Sequence, residues 1–319
     1  MRRVLKWLIP LVLIAFGVLW PLLFRGGSAA SDVDDPVVFS NYKVDFVVNA
    51  DGRLDAVETI TAEFPGSDRH GIFRYWDVAN PNNPHVRQPP EITSIRRDGE
   101  PEPYQMLWED GERFRVAKIG EAGRMLNSGT HVFEIRYTIA GVLDSGSTGA
   151  GKVFAQRTGD PNSTSAFFWN VIAPSWNNRI DRADISISLP GNVSGAECSV
   201  GYGVGRACSA LTVSVNRVEL SAANLPPRTP VTVRAGVDIP TPARTTLPWP
   251  YTWDRILGQS LVGVAWAGGL TVLLGLAAFL LYRTTVEPPP GFPVQYAPPT
   301  GLGPVQTEYI RTESVPKNG

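Results

Sequence analysis

One stretch constrains this chain more than any other. ILGQSLVGVAWAGGLTVLLGLAAFLLY (residues 256–282) contains no charged side chain. As a helix it would reach about 40 Å, enough to cross a hydrocarbon core of ~30 Å with tilt. A bilayer core offers the backbone no water, so a spanning run must bond its own peptide groups. Gln259, Ser260 and Thr271 are its only clearly polar side chains. Trp249, Tyr251 and Trp253 come just before it, where aromatic rings favour the membrane interface. Ala265 and Gly269 are small residues four apart, a spacing that lets helices approach. A transmembrane helix is therefore expected over residues 255–283.

A second apolar run, residues 7–24, follows Arg2, Arg3 and Lys6 at the start of the chain. Ser28, Ala29 and Ala30 match a small-residue cleavage site, yet the run is longer than a usual signal core. Residues 1–30 thus read as a signal peptide or an N-terminal membrane anchor, the latter making two spanning helices. The basic start favours a cytoplasmic N-terminus, which puts residues 25–254 outside and the tail from Arg283 inside. That Pro-rich tail, residues 284–319, has too little to bury and is expected to be extended or disordered.

Between the apolar runs the period changes to two. In VFSNYKVDFVV, residues Val38, Tyr42, Val44, Phe46 and Val48 share one phase. Such alternation marks a strand with one buried face. Asp51-Gly52 is a hairpin signal, and Leu54, Ala56, Ile60, Ala62 and Phe64 then continue on one phase. HVFEIRYTI, ADISISL, LTVSVNRVEL and VTVRAGV read in the same way. Many short alternating strands separated by turn signals suggest a sandwich. The fold class is therefore mostly β: an extracytoplasmic β-sandwich over residues 31–247, one large or two small. If there are two, the Gly/Ser-rich residues 144–151 are where the break between them falls.

The formal net charge is −1, and no basic stripe suggests nucleic acid. GSTGAGK (residues 146–152) approaches a phosphate-binding loop, but Val153 stands where the metal-binding hydroxyl belongs. The sequence after it is strand-like and then loop. No nucleotide is expected there. Cys198 and Cys208, the two cysteines, flank a Gly-rich turn and are expected to pair outside the membrane. The histidines are His70, His85 and His131, and there is no H-E-x-x-H and no calcium loop. No metal and no cofactor are expected.

Two segments carry candidate chemistry. Glu58 falls on the apolar phase of its strand, and a carboxylate pointing inward should be paired, because an isolated buried charge is costly. Arg74 in FPGSDRHGIFRYW is the available partner, so a structural Glu58–Arg74 ion pair is predicted. The competing reading makes Glu58, Glu63, Asp68 and His70 an acid–base group, or His70 part of a ligand site. In FFWNVIAPSWNNRI, Trp169 and Trp176 with Asn170, Asn177 and Asn178 suggest a sugar-stacking surface. Tryptophans in such a run also serve as core residues.

The order of VDFVVNADGRLDAVETITAEF, HGIFRYWDV, FFWNVIAPSWNNRIDRADISISLP and APPTGLGPVQTEY resembles a family of predicted bacterial membrane proteins, domain of unknown function 2207. The resemblance implies a signal or anchor, an extracytoplasmic β domain and membrane helices. It implies no established activity. Glu58, His70, Gly71 and Arg74 match the family's pattern near the first hairpin. Members often continue past the Pro-rich stretch with more membrane helices and a Gly-rich end, whereas this sequence stops at Gly319.

Two functions are in view. One is a membrane-anchored module whose outer domain binds or scaffolds an envelope protein or polymer, glycan included. The other is an envelope hydrolase or transferase using the acidic residues around Glu58 to His70.

Overall fold

The computed structural model describes residues 35–285, 301 and 303–313. The apolar run at residues 7–24 and the cleavage motif lie outside the described residues. The chain is mostly β, with sixteen described strands in three sheets.

The largest sheet is built on β1 (Asp35–Val48) and β2 (Leu54–Phe64), an antiparallel hairpin. Its turn closes where Asp51-Gly52 predicts it: Gly52 N–H donates to Asn49 O at 2.9 Å, and Gly52 has φ 80°. β8 (Gly129–Ile139), β4 (Pro90–Arg97) and β5 (Glu100–Pro101) continue the sheet beyond β2. On the other side β1 pairs in parallel with β12 (Asn178–Ser188), followed by β15 (Arg217–Leu225) and β14 (Ala210–Ser214).

A second sheet has the order β10 (Gln156–Gly159), β13 (Val193–Val200), β16 (Val231–Val237), β11 (Ser165–Ile172) and β9 (Leu143–Ser145). The third holds β3 (Gly71–Asp77), β7 (Phe114–Gly120) and β6 (Tyr104–Glu109), with β3 at one edge. Buried residues from all three sheets form one hydrophobic cluster, including Phe39, Phe46, Ile60, Ile119, Phe133, Phe167 and Val233.

Four details differ from the period-two reading. The register of β1 against β2 shifts between Phe39 and Asn41, so the buried residues upstream are Val37 and Phe39, not Val38. An extra residue in one strand reverses the phase of everything before it. LTVSVNRVEL contributes to two strands, β14 and β15, which pair with each other around Val215 and Asn216. Every residue of β16 is buried, because it is central in its sheet and covered on both faces. Finally, the described residues on both sides of 144–151, as far as Leu261, fall in one compact unit.

The reason lies in Arg234, which is 1% exposed. Its guanidinium donates to Thr148 O and Gly146 O, each at 2.8 Å, and to Glu197 Oε2 at 3.3 Å. The glycine-rich loop is thus laced to β16 through its carbonyls. A Cβ on Gly146 would fall 1.7 Å from Ser163 O, which is why the position has no side chain.

The segment after β16 folds back onto the β unit. Arg87 Nε and Nη2 donate to Asp254 Oδ2 and Oδ1 at 2.6 and 2.7 Å, and both side chains are buried. Trp249 Nε1 donates to Asp254 Oδ1 and Gly258 O. A short helix, α1 (Asp254–Leu257), ends at Gly258 with φ 71°. The long helix α2 (Leu261–Thr285) therefore begins later than the apolar run itself. Over Leu261–Leu281 its mean hydropathy is 2.1, and it is long and apolar enough to cross a membrane. It is the one such helix among the described residues. Within the Pro-rich tail, expected to be extended or disordered, residues 304–312 form a helix: α3 (Pro304–Thr312) has proline in its first turn, Glu308–Arg311 as an ion pair, and Glu313 as a left-handed cap.

Candidate functional site

β2 lies between β1 and β8, with Glu58 opposite Val44 on one side and Ile135 on the other. Tyr42 and Tyr137 are the diagonal neighbours on that face, within reach of a long side chain. Tyr42 Oη donates to Glu58 Oε2 at 2.7 Å, and Tyr137 Oη to Oε1 at 2.5 Å. Arg74 arrives from β3, in another sheet. Its Nε donates to Glu58 Oε2 at 2.9 Å and its Nη2 to Oε1 at 2.8 Å. Glu58 is 0% exposed and Arg74 5%.

The structure brings the two together as a bidentate pair, the strong geometry for guanidinium and carboxylate. The guanidinium also lies 4.7 Å from the ring centre of Trp76 and 5.2 Å from that of Trp176. Arg74 Nη1 donates to the carbonyl of Tyr75. Burial, then the charge of Glu58, pushes the Tyr42 and Tyr137 hydroxyls well above their ordinary range. Both remain neutral donors.

This arrangement leaves Glu58 no free lone pair aimed at a substrate. Glu63, five residues along the strand, is on the opposite face and accepts from Ser40 and Thr130. His70 presents Nδ1 to Arg124 O at 3.0 Å. Asp68 is exposed in the turn before β3. The anticipated acid–base group is therefore dispersed. Gly71, beside His70, has a backbone cause: it opposes Gly120 across the β3–β7 ladder, and a Cβ there would sit 1.9 Å from Ile119 O.

A cleft of about 570 Å³ opens beside the Glu58–Arg74 cluster. Its walls include two consecutive strand runs: residues 74–77 of β3 and residues 168–170 of β11. Aromatic lining comes from Tyr75, Trp76, Phe114, Phe168 and Trp169, and charged lining from Asp77, Glu109, Asp110, Arg113, Lys152 and Arg228. Glu58, Glu63, Asp68 and His70 do not line it.

Of the sugar-stacking candidates, Trp169, Asn170 and Asn177 reach the cleft. Trp176 does not: it is 2% exposed and packs edge-on against Phe39 at 4.9 Å and Tyr42 at 5.8 Å. Phe39, Tyr42 and the Arg74 guanidinium thus enclose the Trp176 ring away from the cleft. One polar atom of each asparagine amide is engaged as well. Asn178 donates to Val37 O, Asn177 Oδ1 accepts from Arg228 Nε, and Asn170 Oδ1 accepts from Thr232.

Lys152, the last residue of the loop that resembles a phosphate cradle, lies over the rings of Phe154 and Phe168 at 5.4 and 5.3 Å. Sequence reasoning missed Glu109, Asp110 and Arg113. The Asp110-Gly111 pair signals their hairpin, but not that its tip borders a cleft. Arg113 pairs with Asp77 at 2.9 Å and lies 5.6 Å from the Tyr251 ring centre, next to the segment leading to α2. Burial, then the charge of Glu109, raises the Tyr75 hydroxyl above its ordinary range. Cys198 and Cys208 are joined as a disulfide, and Tyr202 in the loop between them donates to Arg228 O at 3.0 Å.

A mostly β unit with one cleft wall at a sheet edge, followed by a helix fit for a membrane, defines the class of protein. The chain belongs to the predicted membrane protein family DUF2207: the model of the family's N-terminal domain matches residues 39–237. No curated protein matches the chain.

Among solved structures, it is similar to an M1 zinc metallopeptidase from Deinococcus radiodurans, at 12% identity and TM-score 0.34, covering 62% of this chain and 42% of that one. It is also similar to yeast LTA4 hydrolase in complex with bestatin, at 10% identity and TM-score 0.40, covering 68% and 32%. A putative protease from Parabacteroides distasonis gives 13% identity and TM-score 0.34, covering 64% and 41%. The chain thus spans well under half the length of these proteins, and likenesses this distant carry no argument about activity.

Proposed function

We propose that this protein is a membrane-anchored cell-envelope module whose extracytoplasmic β-sandwich domain binds or scaffolds an envelope protein or polymer. The observation that carries the reading is the open cleft, with aromatic and charged side chains of both signs on its walls. Clefts of this size with a few placed polar groups are the usual form of a binding site. The disulfide supports an oxidising, extracytoplasmic location for the domain.

The hydrolase reading has less support. Its leading carboxylate, Glu58, already accepts four hydrogen bonds from Arg74, Tyr42 and Tyr137. A group held in that way is a structural anchor, since a general acid or base must exchange a proton with the reacting group.

Photocrosslinking residues placed at Tyr75 and Trp169, in intact cells, test the proposal. A reproducible protein or glycan adduct at both positions is expected. No adduct at either would count against a binding role. Loss of function in Glu58→Gln with an unchanged melt would return attention to catalysis.

A further inference from the structure

The binding reading can be taken one step further, to the form of what binds. β9 pairs with β11 only over Ser165, Ala166 and Phe167, whereas β16 accompanies β11 on its other side to Ile172. Phe168, Trp169 and Asn170, the residues that line the cleft, thus have a strand on one side alone.

The direction of their peptide groups follows from the neighbouring bonds. Gly146 N–H donates to Thr164 O at 3.0 Å, so the peptide groups of even-numbered residues in β11 point toward β9. Antiparallel pairing alternates the bonding direction residue by residue. The N–H and C=O groups of Phe168 and Asn170 are therefore directed to the side of β11 that β9 leaves unpaired, in residues that line the cleft.

The opposite wall has a comparable edge, already partly used. Gly120 N–H bonds Pro103 O and Val78 N–H bonds Arg113 O. By the same alternation, the peptide groups of Phe73, Tyr75 and Asp77 point away from β7. The Tyr75 carbonyl there accepts from Ser175 Oγ and from Arg74. β11 presents the freer edge.

An unpaired edge bordering an open cleft suits main-chain recognition, in which an added strand makes the hydrogen bonds and side-chain pockets set preference. A sugar platform suits it less, because Trp176 is buried and the Asn170 and Asn177 amide oxygens and the Asn178 amide nitrogen are already engaged. Charge selects further. Among the described residues Lys152 stacks on Phe154 and Phe168 and forms no ion pair with a carboxylate. Glu109 and Asp110 on the β6–β7 hairpin make none at that distance, although after Asp77 the charge of Asp110 lies near enough to raise the Arg113 pKa, and Arg255 packs against Gly111 beside them.

We propose that the cleft takes an extended peptide of mixed charge, which adds as a strand to the free edge of β11, with an acidic side chain toward Lys152 and a basic one toward Glu109 and Asp110. This rests on the binding reading above and names its ligand class.

The test uses the full chain in detergent micelles and an array of synthetic decapeptides of varied charge. Mixed-charge peptides should be retained. N-methylation of a retained peptide should weaken binding tenfold or more at alternate residues and little at those between. Lys152→Glu should reverse the preference at the acidic position. Asn170→Pro removes one edge donor without touching the ladder to β16, as proline is tolerated on such edges. It also removes the hydrogen bond from Thr232, so Asn170→Ala is its reference: Asn170→Pro should lose peptide retention that Asn170→Ala keeps, with the two melting alike.

Should Asn170→Pro fail to fold, Lys152→Glu and the N-methyl scan still decide the matter. No retained peptide, or N-methyl losses without alternation, would overturn strand addition. Solubilised envelope polysaccharide that binds while no peptide does would overturn it and leave the binding module standing. If cellular crosslinks at Tyr75 and Trp169 also fail, the module reading falls with it.

Discussion

Arg74→Ala is the most informative single change to the core. It removes two of the four hydrogen bonds to Glu58, at 2.9 and 2.8 Å, and the positive charge that balances it. Glu58 is 0% exposed, so water does not replace the lost donors without opening the interface between two sheets. Breaking a buried ion pair by removing one partner costs about 3–5 kcal/mol, because the other charge is left uncompensated. The guanidinium also loses its contacts with Trp76 and Trp176. For a unit of this size the loss corresponds to a fall in Tm of roughly 6–20 °C.

Urea unfolding followed by tryptophan fluorescence is the assay, since two tryptophans flank the substituted side chain. Glu58→Leu with Arg74→Met supplies the control. If the residues act as a pair, the double variant should cost less than the sum of the two single changes, by about 2 kcal/mol. A loss under about 1 kcal/mol for Arg74→Ala, or strict additivity in the cycle, would refute a structural ion pair.

Four further outcomes are expected. Tyr42 and Tyr137 have hydroxyls raised in the folded state above the ordinary value of 10.0, so their contribution is complete below pH 10 and declines above it, as the unfolded chain ionises first. A Tm series from pH 8 to about 11.5 should fall at the alkaline end, and Tyr42→Phe should flatten that fall at the expense of about 1.5–3 kcal/mol at neutral pH. The disulfide closes a loop with a sequence separation of 10, so Cys198→Ser with Cys208→Ser should lower stability by roughly 2–3 kcal/mol in denaturant titration. Gly71→Ala places a Cβ 1.9 Å from a backbone oxygen of β7, and should yield a chain that melts earlier and loses amide-exchange protection along β3. Arg87→Ala strands the buried carboxylate of Asp254 and should make residues 247–258 cleave faster in limited proteolysis than in the wild-type chain.

Much was legible in the linear sequence because it depends on local period and length. The apolar run before Arg283 could only be a helix of membrane-crossing length. The alternation at residues 42–48 and 54–64 required strands with one buried face, and Asp51-Gly52 located the turn. An inward carboxylate at Glu58 demanded a cation, and Arg74 lay close enough in the chain to be named. The pairing of Cys198 with Cys208 was likewise expected from their shared turn.

Tertiary structure decided everything that depends on which strands become neighbours. The two tyrosines on Glu58 come from β1 and β8, and only the sheet order makes them diagonal neighbours of one residue. The same order buries Trp176 behind Arg74 while Trp169 lines the cleft, though both lie in one short segment. Arg234 sits in a run that alternates like a surface strand, yet a covering loop encloses it. The open edge of β11 exists because the short β9 pairs with it no further than Phe167. Periodicity records which face of an element meets apolar surroundings. It carries no record of what stands opposite that face, and the cleft is made of such oppositions.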